Sequence, residues 1–353
     1  MSLSTDKIVE KFGIAQNALV LQQSDLSLQS VSDMVENESI DISPKYQRRE
    51  RWDLDKESGL IESFLLNIPV PPIYLAEDEY GTYSVIDGKQ RVTAIHKFLK
   101  NKLALKNLDK FKELEGLTFN QLPLPLTNAL KIRPYLRVVT LLRQSDPDLK
   151  HEVFLRLNKA GVALNSQEIR NVAYRGEFND LLFSLSESPY LVQQLGATKD
   201  SKVYREMTDV QFVLRYFTVL AYWNSFPGNM DLAMDKYMRD NYRNPKKKIS
   251  EQKRQFESSL AFCEQIWGKE GFIRPESSKR VLQGIFDIEM ICCALLTDAQ
   301  WQNAINKKKE VKKGLVELLN KDQDFMESVT QFTQNAKNVF YRIDRFTKLL
   351  KAI

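Results

Sequence analysis

Apolar residues recur at helical spacing along most of the chain, and strand-like runs occur in only a few short places. One helix is predicted from Asp53 or Asp55 to about Asn67, because its apolar side chains fall on a single stripe. Pro69 and the prolines that follow it stop this helix. A shorter helix is predicted within residues 28–38. These segments open a region in which helices and strands alternate.

Three strands are predicted in this region. Ile73–Glu77 and Thr82–Asp87 flank the turn Asp78–Gly81, and this pattern predicts a β-hairpin. A helix is expected from about Gln90 to Leu99. The stretch Tyr135–Leu142 has a β-branched, apolar centre that is typical of a buried strand.

The start of a long helical region is well marked. Asn165 and Glu168 have the spacing of a capping box, which predicts that a helix begins there. From that point the apolar spacing is helical to the C-terminus. The pattern predicts an α+β protein, with a mixed α/β N-terminal domain over residues 28–175 and an all-helical domain over residues 176–353. Residues 1–27 carry weak signals, and their order is uncertain.

Composition and charge limit the class of protein. Hydrophobic residues make up 43% of the chain, enough to bury a core, which excludes disorder as the main state. The net charge is +5, but residues 1–44 contain seven acids and only two lysines, a net of −5, so the remainder carries +10. This mild basic excess suits contact with nucleic acid.

The sequence also indicates a compartment. It lacks both a signal-peptide pattern and a run of about 18 apolar residues, so we expect a cytoplasmic protein without membrane contact. Only His96 and His151 are histidines, which excludes an HNH-type nuclease module within the chain. The cysteines lack metal or disulfide spacing and fit reduced core residues: Cys263, Cys292 and Cys293.

The stretch YSVIDGKQRVTAI, residues 83–95, is the strongest candidate for chemistry. A strand that turns directly into a helix presents the helix N-terminus, where the dipole favours an anion. Gly88 allows close approach of a ligand, Arg91 suits two phosphate oxygens, and Thr93 offers a hydroxyl. Asp87 has the chemistry to orient Arg91, to bind Mg²⁺ or to accept from a ribose hydroxyl. The alternative is an ordinary Asp-Gly turn.

Two further stretches combine charge with turn signals. Residues 44–52 (PKYQRRERW) interleave cations with Tyr46 and Trp52, which suits phosphate and base recognition, or an exposed basic loop. In residues 154–170, Arg156 and Asn158 stand at the end of one predicted helix. They either contact the same anion as Arg91 or belong to a corner between two helices that is fixed by helix caps.

Two weaker patterns stay open. Asp87-x-Lys89, with Glu77 or Asp78 as a second carboxylate, matches part of a metal-dependent nuclease core. The lysine runs 246–248 and 307–309 suit DNA backbone contact or are solvated helix ends.

Taken in order, four stretches resemble a known family. YQR…W, IPVPPIYL, YSVIDGKQRVTAI and FLRLNKAGVALNSQEIRN, spread over about residues 28–178, resemble the ParB/sulfiredoxin-like DGQQR family, as in the N-terminal domain of GmrSD-type restriction systems. The resemblance implies a nucleotide-binding domain whose DGQQR loop lies over the triphosphate. In this family NTP hydrolysis is coupled to DNA recognition or cleavage in anti-phage defence.

Carried onto this sequence, the resemblance implies a nucleotide pocket and assigns catalysis to Asp87 and Arg91, with Asp87 as a possible Mg²⁺ ligand. Lys89 stands where the signature has its first Gln. The implied nucleotide-binding residues are Gln47, Arg48, Asp87, Gly88, Lys89, Gln90, Arg91, Thr93, Arg156 and Asn158.

Three functions follow as hypotheses. The first is an NTP-binding and NTP-hydrolysing module of a restriction system, whose helical domain contacts DNA or a partner nuclease subunit, since the chain has no HNH module. The second is a ParB-like DNA-binding protein without nucleotide turnover. The third is a metal-dependent nuclease that uses Asp87 and Lys89. The oligomeric state is open.

Overall fold

The computed structural model describes residues 5–42, 52–145, 149, 152–153, 156–157, 165–275 and 280–353. The chain divides into two compact units, residues 1–165 and 166–353. The domain boundaries at residues 27 and 175 stay predictions. No helix among the described residues is both long and apolar enough to span a membrane.

Five strands and five helices of the first unit are described over their full length. The strands are β1 Leu21–Ser27, β2 Ile40–Asp41, β3 Ile73–Glu79, β4 Thr82–Asp87 and β5 Tyr135–Leu141. The helices are α1 Thr5–Asn17, α2 Leu28–Glu36, α3 Leu54–Leu65, α4 Lys89–Leu99 and α5 Leu124–Ile132. Two short 3₁₀ turns, Lys112–Leu114 and Phe119–Gln121, lie between α4 and α5.

The strands form one mixed sheet in the order β1-β5-β3-β4-β2. β3 and β4 are an antiparallel hairpin, and β1 pairs antiparallel with β5. β3 runs parallel to β5, and β2 runs parallel to β4. The α+β class is confirmed, as are the predicted hairpin and the helix that follows it.

The core of this unit joins the sheet to α4. Val92, Ile95 and Phe98 lie on one stripe of α4 and are at most 2% exposed, because their spacing of three residues keeps them on one face. α4 packs against α2 and α3. Asp53 caps α3 by accepting a hydrogen bond from the Lys56 backbone N–H at 2.9 Å, as predicted.

Strand β1 was not predicted from the sequence. Its residues, LQQSDLS, are mostly polar and mostly exposed, so they show no apolar alternation. The strand is held by its unbroken pairing with β5 and by an ion pair in which Arg137 Nε lies 2.9 Å from Asp25 Oδ1. Such long-range pairing leaves no local signal in the sequence.

The second unit is helical apart from an isolated bridge between Ile273 and Val281 in its described part. Its helices are α6 Ser166–Ala173, α7 Glu177–Ser186, α8 Pro189–Leu195, α9 Lys202–Arg205, α10 Thr208–Tyr222, α11 Met230–Asn241, α12 Lys246–Trp267, α13 Gln283–Cys292, α14 Asp298–Asn306, α15 Lys308–Lys321, α16 Gln323–Thr330 and α17 Ala336–Ala352. Two 3₁₀ turns are Gly268–Glu270 and Cys293–Leu295.

Buried charges tie these helices together. Asp287 on α13 accepts from Arg215 on α10 at 2.7 and 2.8 Å and also from Arg342 on α17. All three side chains are at most 3% exposed. Buried charges of this kind need partners, because isolated ions are strongly disfavoured away from water.

Candidate functional site

The turn between β4 and α4 has a conformation that only glycine accepts readily. Gly88 precedes the first residue of α4 and has φ of +96°, in the left-handed region. A Cβ at this position would also collide with the Ile73 side chain on β3. Gly88 stands at the N-cap position of α4 and has no side chain with which to cap it. The junction is therefore tightly built, and the helix dipole places partial positive charge in front of it.

Arg91 points back toward the loop that precedes β3. Its Nη2 lies 2.6 Å from Asp87 Oδ2, and its Nη1 donates to Pro72 O at 2.9 Å and to Pro71 O. Arg91 is 9% exposed. The guanidinium thus fastens the first turn of α4 to the proline segment, a role that the sequence reasoning missed.

One signal for that role was present in the sequence. Pro71 and Pro72 have no backbone N–H, so the segment cannot pair as an ordinary strand and its carbonyls require donors from elsewhere. A buried arginine is a donor with the right fork geometry for two neighbouring carbonyls.

Asp87 is more accessible than its partner. Its side chain is 45% exposed, and the contact to Arg91 uses only one carboxylate oxygen. An exposed carboxylate oxygen is the kind of ligand that Mg²⁺ prefers. Thr93 and Lys89 lie half-buried on the same first turns of α4.

Gln90 connects two of the predicted motifs. Its Oε1 accepts a hydrogen bond from the Trp52 backbone N–H at 3.2 Å. This contact brings the end of the PKYQRRERW stretch to the N-terminus of α4. The other predicted residues of that stretch, Gln47 and Arg48, lie outside the described residues.

The third motif is described only in part. Arg156 Nε lies 2.7 Å from Glu152 Oε1, and the Arg156 side chain is 75% exposed. Asn158 lies outside the described residues. The nucleotide contacts of both residues therefore stay predictions.

The carboxylates of the nuclease hypothesis are not brought together. The hairpin register pairs Tyr74 with Asp87, so Glu77 lies three residues along β3, about 10 Å away at strand spacing. Glu77 accepts from the Arg143 N–H at 3.1 Å, and Asp78 accepts from the Ser84 hydroxyl at 3.2 Å. These contacts do not place Glu77 or Asp78 beside Asp87, which counts against the nuclease alternative that the sequence left open.

No group of three or more His, Cys, Asp or Glu side chains in the described part of the chain has the arrangement of a metal site. A cation at this junction would therefore depend on Asp87 together with ligand oxygens from a bound nucleotide. Mg²⁺ commonly binds in this way, with one or two carboxylates and substrate phosphates.

Comparison with known proteins addresses the first unit. Neither the curated proteins nor the solved structures contain a match to the chain. Residues 31–175 match the family described as the GmrSD restriction endonuclease, N-terminal domain. The matched segment begins in α2 and includes the hairpin, the Gly88 junction and α4. Residues 31–175, less than half of the chain, are therefore similar to the N-terminal domain of the GmrSD restriction endonuclease family.

Proposed function

We propose that the first unit binds a nucleoside triphosphate at the β4–α4 junction and hydrolyses it. The observation that carries the proposal is the left-handed Gly88 turn, which places the N-terminus of α4 next to Asp87. Helix N-termini of this kind bind phosphate through their dipole and backbone N–H groups.

Each residue of the junction has a role in this proposal. Lys89 supplies positive charge to the phosphates, and Asp87 uses its accessible oxygen to hold Mg²⁺ or to position the attacking water. Arg91 orients Asp87 through the hydrogen bond from its Nη2 to Asp87 Oδ2. Arg48 and Arg156 neutralise further phosphate charge. Positioning and charge neutralisation are most of what phosphoryl transfer requires from a protein.

We further propose that nucleotide turnover controls DNA recognition or a separate nuclease subunit. The chain contains two histidines and no HNH module, so cleavage by this chain is not part of the proposal. Three free, buried cysteines fit a reducing compartment, which supports a cytoplasmic location.

Calorimetry with the full chain tests nucleotide binding. ATP, GTP and CTP are each titrated with Mg²⁺ into the wild type and into Lys89→Glu. We expect one nucleotide to bind, and the reversed charge to weaken it by about tenfold or more, since one charged contact contributes about 1.4 kcal/mol or more. Lys102→Glu is the matched control, because Lys102 is an exposed lysine just after α4.

The titration and a hydrolysis assay test nucleotide binding and nucleotide turnover separately. Absence of binding at millimolar nucleotide, or equal binding by wild type and Lys89→Glu, would overturn the proposal. Phosphate release with and without DNA then tests hydrolysis, and Asp87→Asn is expected to abolish it while nucleotide still binds. Trp52 fluorescence gives a second readout, because its backbone is bonded to Gln90.

The second candidate is a DNA-binding protein without nucleotide turnover, and one observation removes a nucleotide contact that the sequence had predicted for the first. The Arg91 Nη groups are already engaged by two carbonyls and Asp87, so this arginine is not directed at a ligand. That candidate predicts DNA binding that needs no nucleotide and weakens steeply with salt.

A further inference from the structure

The second unit carries a concentrated basic surface on α11, α12 and the loop between them. Residues 236–254 contain eight lysines and arginines and two acids, a net of +6, which exceeds the +5 of the whole chain. All eight cations are exposed. We call this surface the basic corner; its cations are Lys236, Arg239, Arg243, Lys246, Lys247, Lys248, Lys253 and Arg254.

The burial of α12 explains why these charges face water. Its inward stripe contains Gln252, Phe256 and Cys263, all buried. Lys247 and Arg254 lie near the opposite side of the helix and seven residues apart, about 10 Å along the axis. Lys246 and Lys253 repeat that spacing about 100° around the helix and are also exposed. The cations therefore extend over two turns rather than converging on one point.

Few of these charges are neutralised within the described residues. Arg239 pairs with Asp240 at 3.4 Å, and Lys253 lies 3.8 Å from Glu257. Both pairs are exposed, and exposed pairs of this kind contribute little. Within the described residues, Lys246, Lys247, Lys248 and Arg254 form no ion pair.

The first turn of α12 is also electrostatically unfavourable. It begins with three lysines and contains no acid, the reverse of what the helix dipole favours. Each misplaced charge costs about 0.3–1 kcal/mol at low salt. An external polyanion would offset this cost. Arg243 is held with its guanidinium 4.9 Å from the centre of the Tyr242 ring, which limits its freedom.

We propose that the basic corner binds the phosphate backbone of double-stranded DNA. The spread of charge over two helical turns and a loop fits an extended polyanion better than a single phosphate group. None of the large exposed apolar residues lies within residues 236–254, so the surface lacks the apolar insertions that membrane-binding helices use. This inference does not depend on nucleotide binding by the first unit.

Charge reversal in the full chain tests this surface. Lys246→Glu/Lys247→Glu is compared with Lys308→Glu/Lys309→Glu, which makes the same charge change in the first turn of another helix of the same unit, α15. DNA affinity is measured by fluorescence anisotropy with a labelled duplex over a range of salt concentrations.

We expect the α12 variant to lose about tenfold or more in DNA affinity at low salt and the slope of log affinity against log salt to fall by about 2. The α15 variant should stay within about twofold, since it removes no backbone contact. Equal losses in the two variants, or no loss in either, would overturn the proposal. Tighter binding of an RNA duplex of equal length would reassign the surface to RNA and overturn it as well.

Two controls keep the result interpretable. Thermal unfolding should show that both variants are at least as stable as wild type, because glutamate in a first turn suits the helix dipole. Nucleotide titration of the α12 variant should match wild type. Loss of DNA binding with intact nucleotide binding separates this surface from the β4–α4 junction, and failure of either proposal leaves the other standing.

Discussion

Arg91 allows the structural and chemical roles of the junction to be separated by mutation. Its guanidinium donates to the carbonyls of Pro71 and Pro72 and pairs with Asp87. Each hydrogen bond from a charged donor contributes about 1.5–3 kcal/mol. Pro71 is exposed and Pro72 half-buried, so their freed carbonyls would regain some water. We therefore expect Arg91→Ala to lower the free energy of unfolding of the first unit by about 3 kcal/mol.

Asp87→Ala should behave differently. Its side chain is 45% exposed, and solvent screens the ion pair, so its loss should cost at most about 1 kcal/mol. Arg91→Lys keeps the charge but loses the fork that reaches two carbonyls, and its cost should lie between the other two.

Urea unfolding followed by circular dichroism measures these costs, and hydrogen exchange of residues 71–99 localises them. Exchange should accelerate in this segment for Arg91→Ala and remain close to wild type for Asp87→Ala. The reasoning fails if Arg91→Ala costs less than about 1 kcal/mol, or if Asp87→Ala costs as much as Arg91→Ala.

Three further predictions concern buried carboxylates. Asp287→Asn leaves Arg215 and Arg342 without a buried carboxylate, so urea unfolding should show a loss of about 3–5 kcal/mol; a loss below about 1 kcal/mol would contradict this. Burial raises the pKa of Glu289 well above its ordinary value of 4.5, so stability falls as pH rises from 4.5 through the raised pKa. The unfolding temperature of Glu289→Gln relative to that of wild type should therefore increase as pH rises above 4.5, and parallel curves would refute this. The pKa of Glu62 is lowered below 4.5. Burial alone would raise it, but hydrogen bonds from three backbone N–H groups outweigh burial; the donors are Asp109, Lys110 and Phe111. That stabilisation is present above pH 4.5 and is lost as pH falls through the lowered pKa, so acid unfolding should be steeper in wild type than in Glu62→Gln.

A matched control applies to the Asp287 variant. Asp344 on α17 forms an ion pair with Lys348 at 2.7 Å in which the lysine is exposed. Asp344→Asn should cost about 0.5 kcal/mol or less. Comparable losses at positions 287 and 344 would show that burial is not the cause.

The elements that the sequence predicted are those with a local cause. The β3–β4 hairpin follows from two apolar runs around a turn, and α3 follows from its Asp53 cap and its apolar stripe. β1 has no such cause, because its polar residues form a strand only through pairing with β5, more than a hundred residues away along the chain. Local pattern cannot report a partner at that distance.

For the candidate site, too, the sequence identifies the residues of the local turn but not their distant partners. Asp87, Gly88 and Arg91 were identified together, and the structure places them in one turn. The direction of Arg91 was not predictable, because it depends on the carbonyls of a proline segment that reaches it through the fold of the sheet. Spacing along the chain identifies residues that can meet, but not which groups they bond.

Gly88, Arg91 and Asp87 therefore differ in how strongly a mutation at each would test for a chemical function. Packing alone accounts for Gly88, since any side chain would strike Ile73, and hydrogen bonding to backbone accounts for Arg91. A loss of activity in a variant of either residue would thus report a damaged fold as readily as a lost ligand contact. Asp87 is different, because its exposed carboxylate stabilises little and its second oxygen faces no described partner. If the junction has a chemical function, Asp87 is the residue whose removal should abolish that function while the fold remains intact.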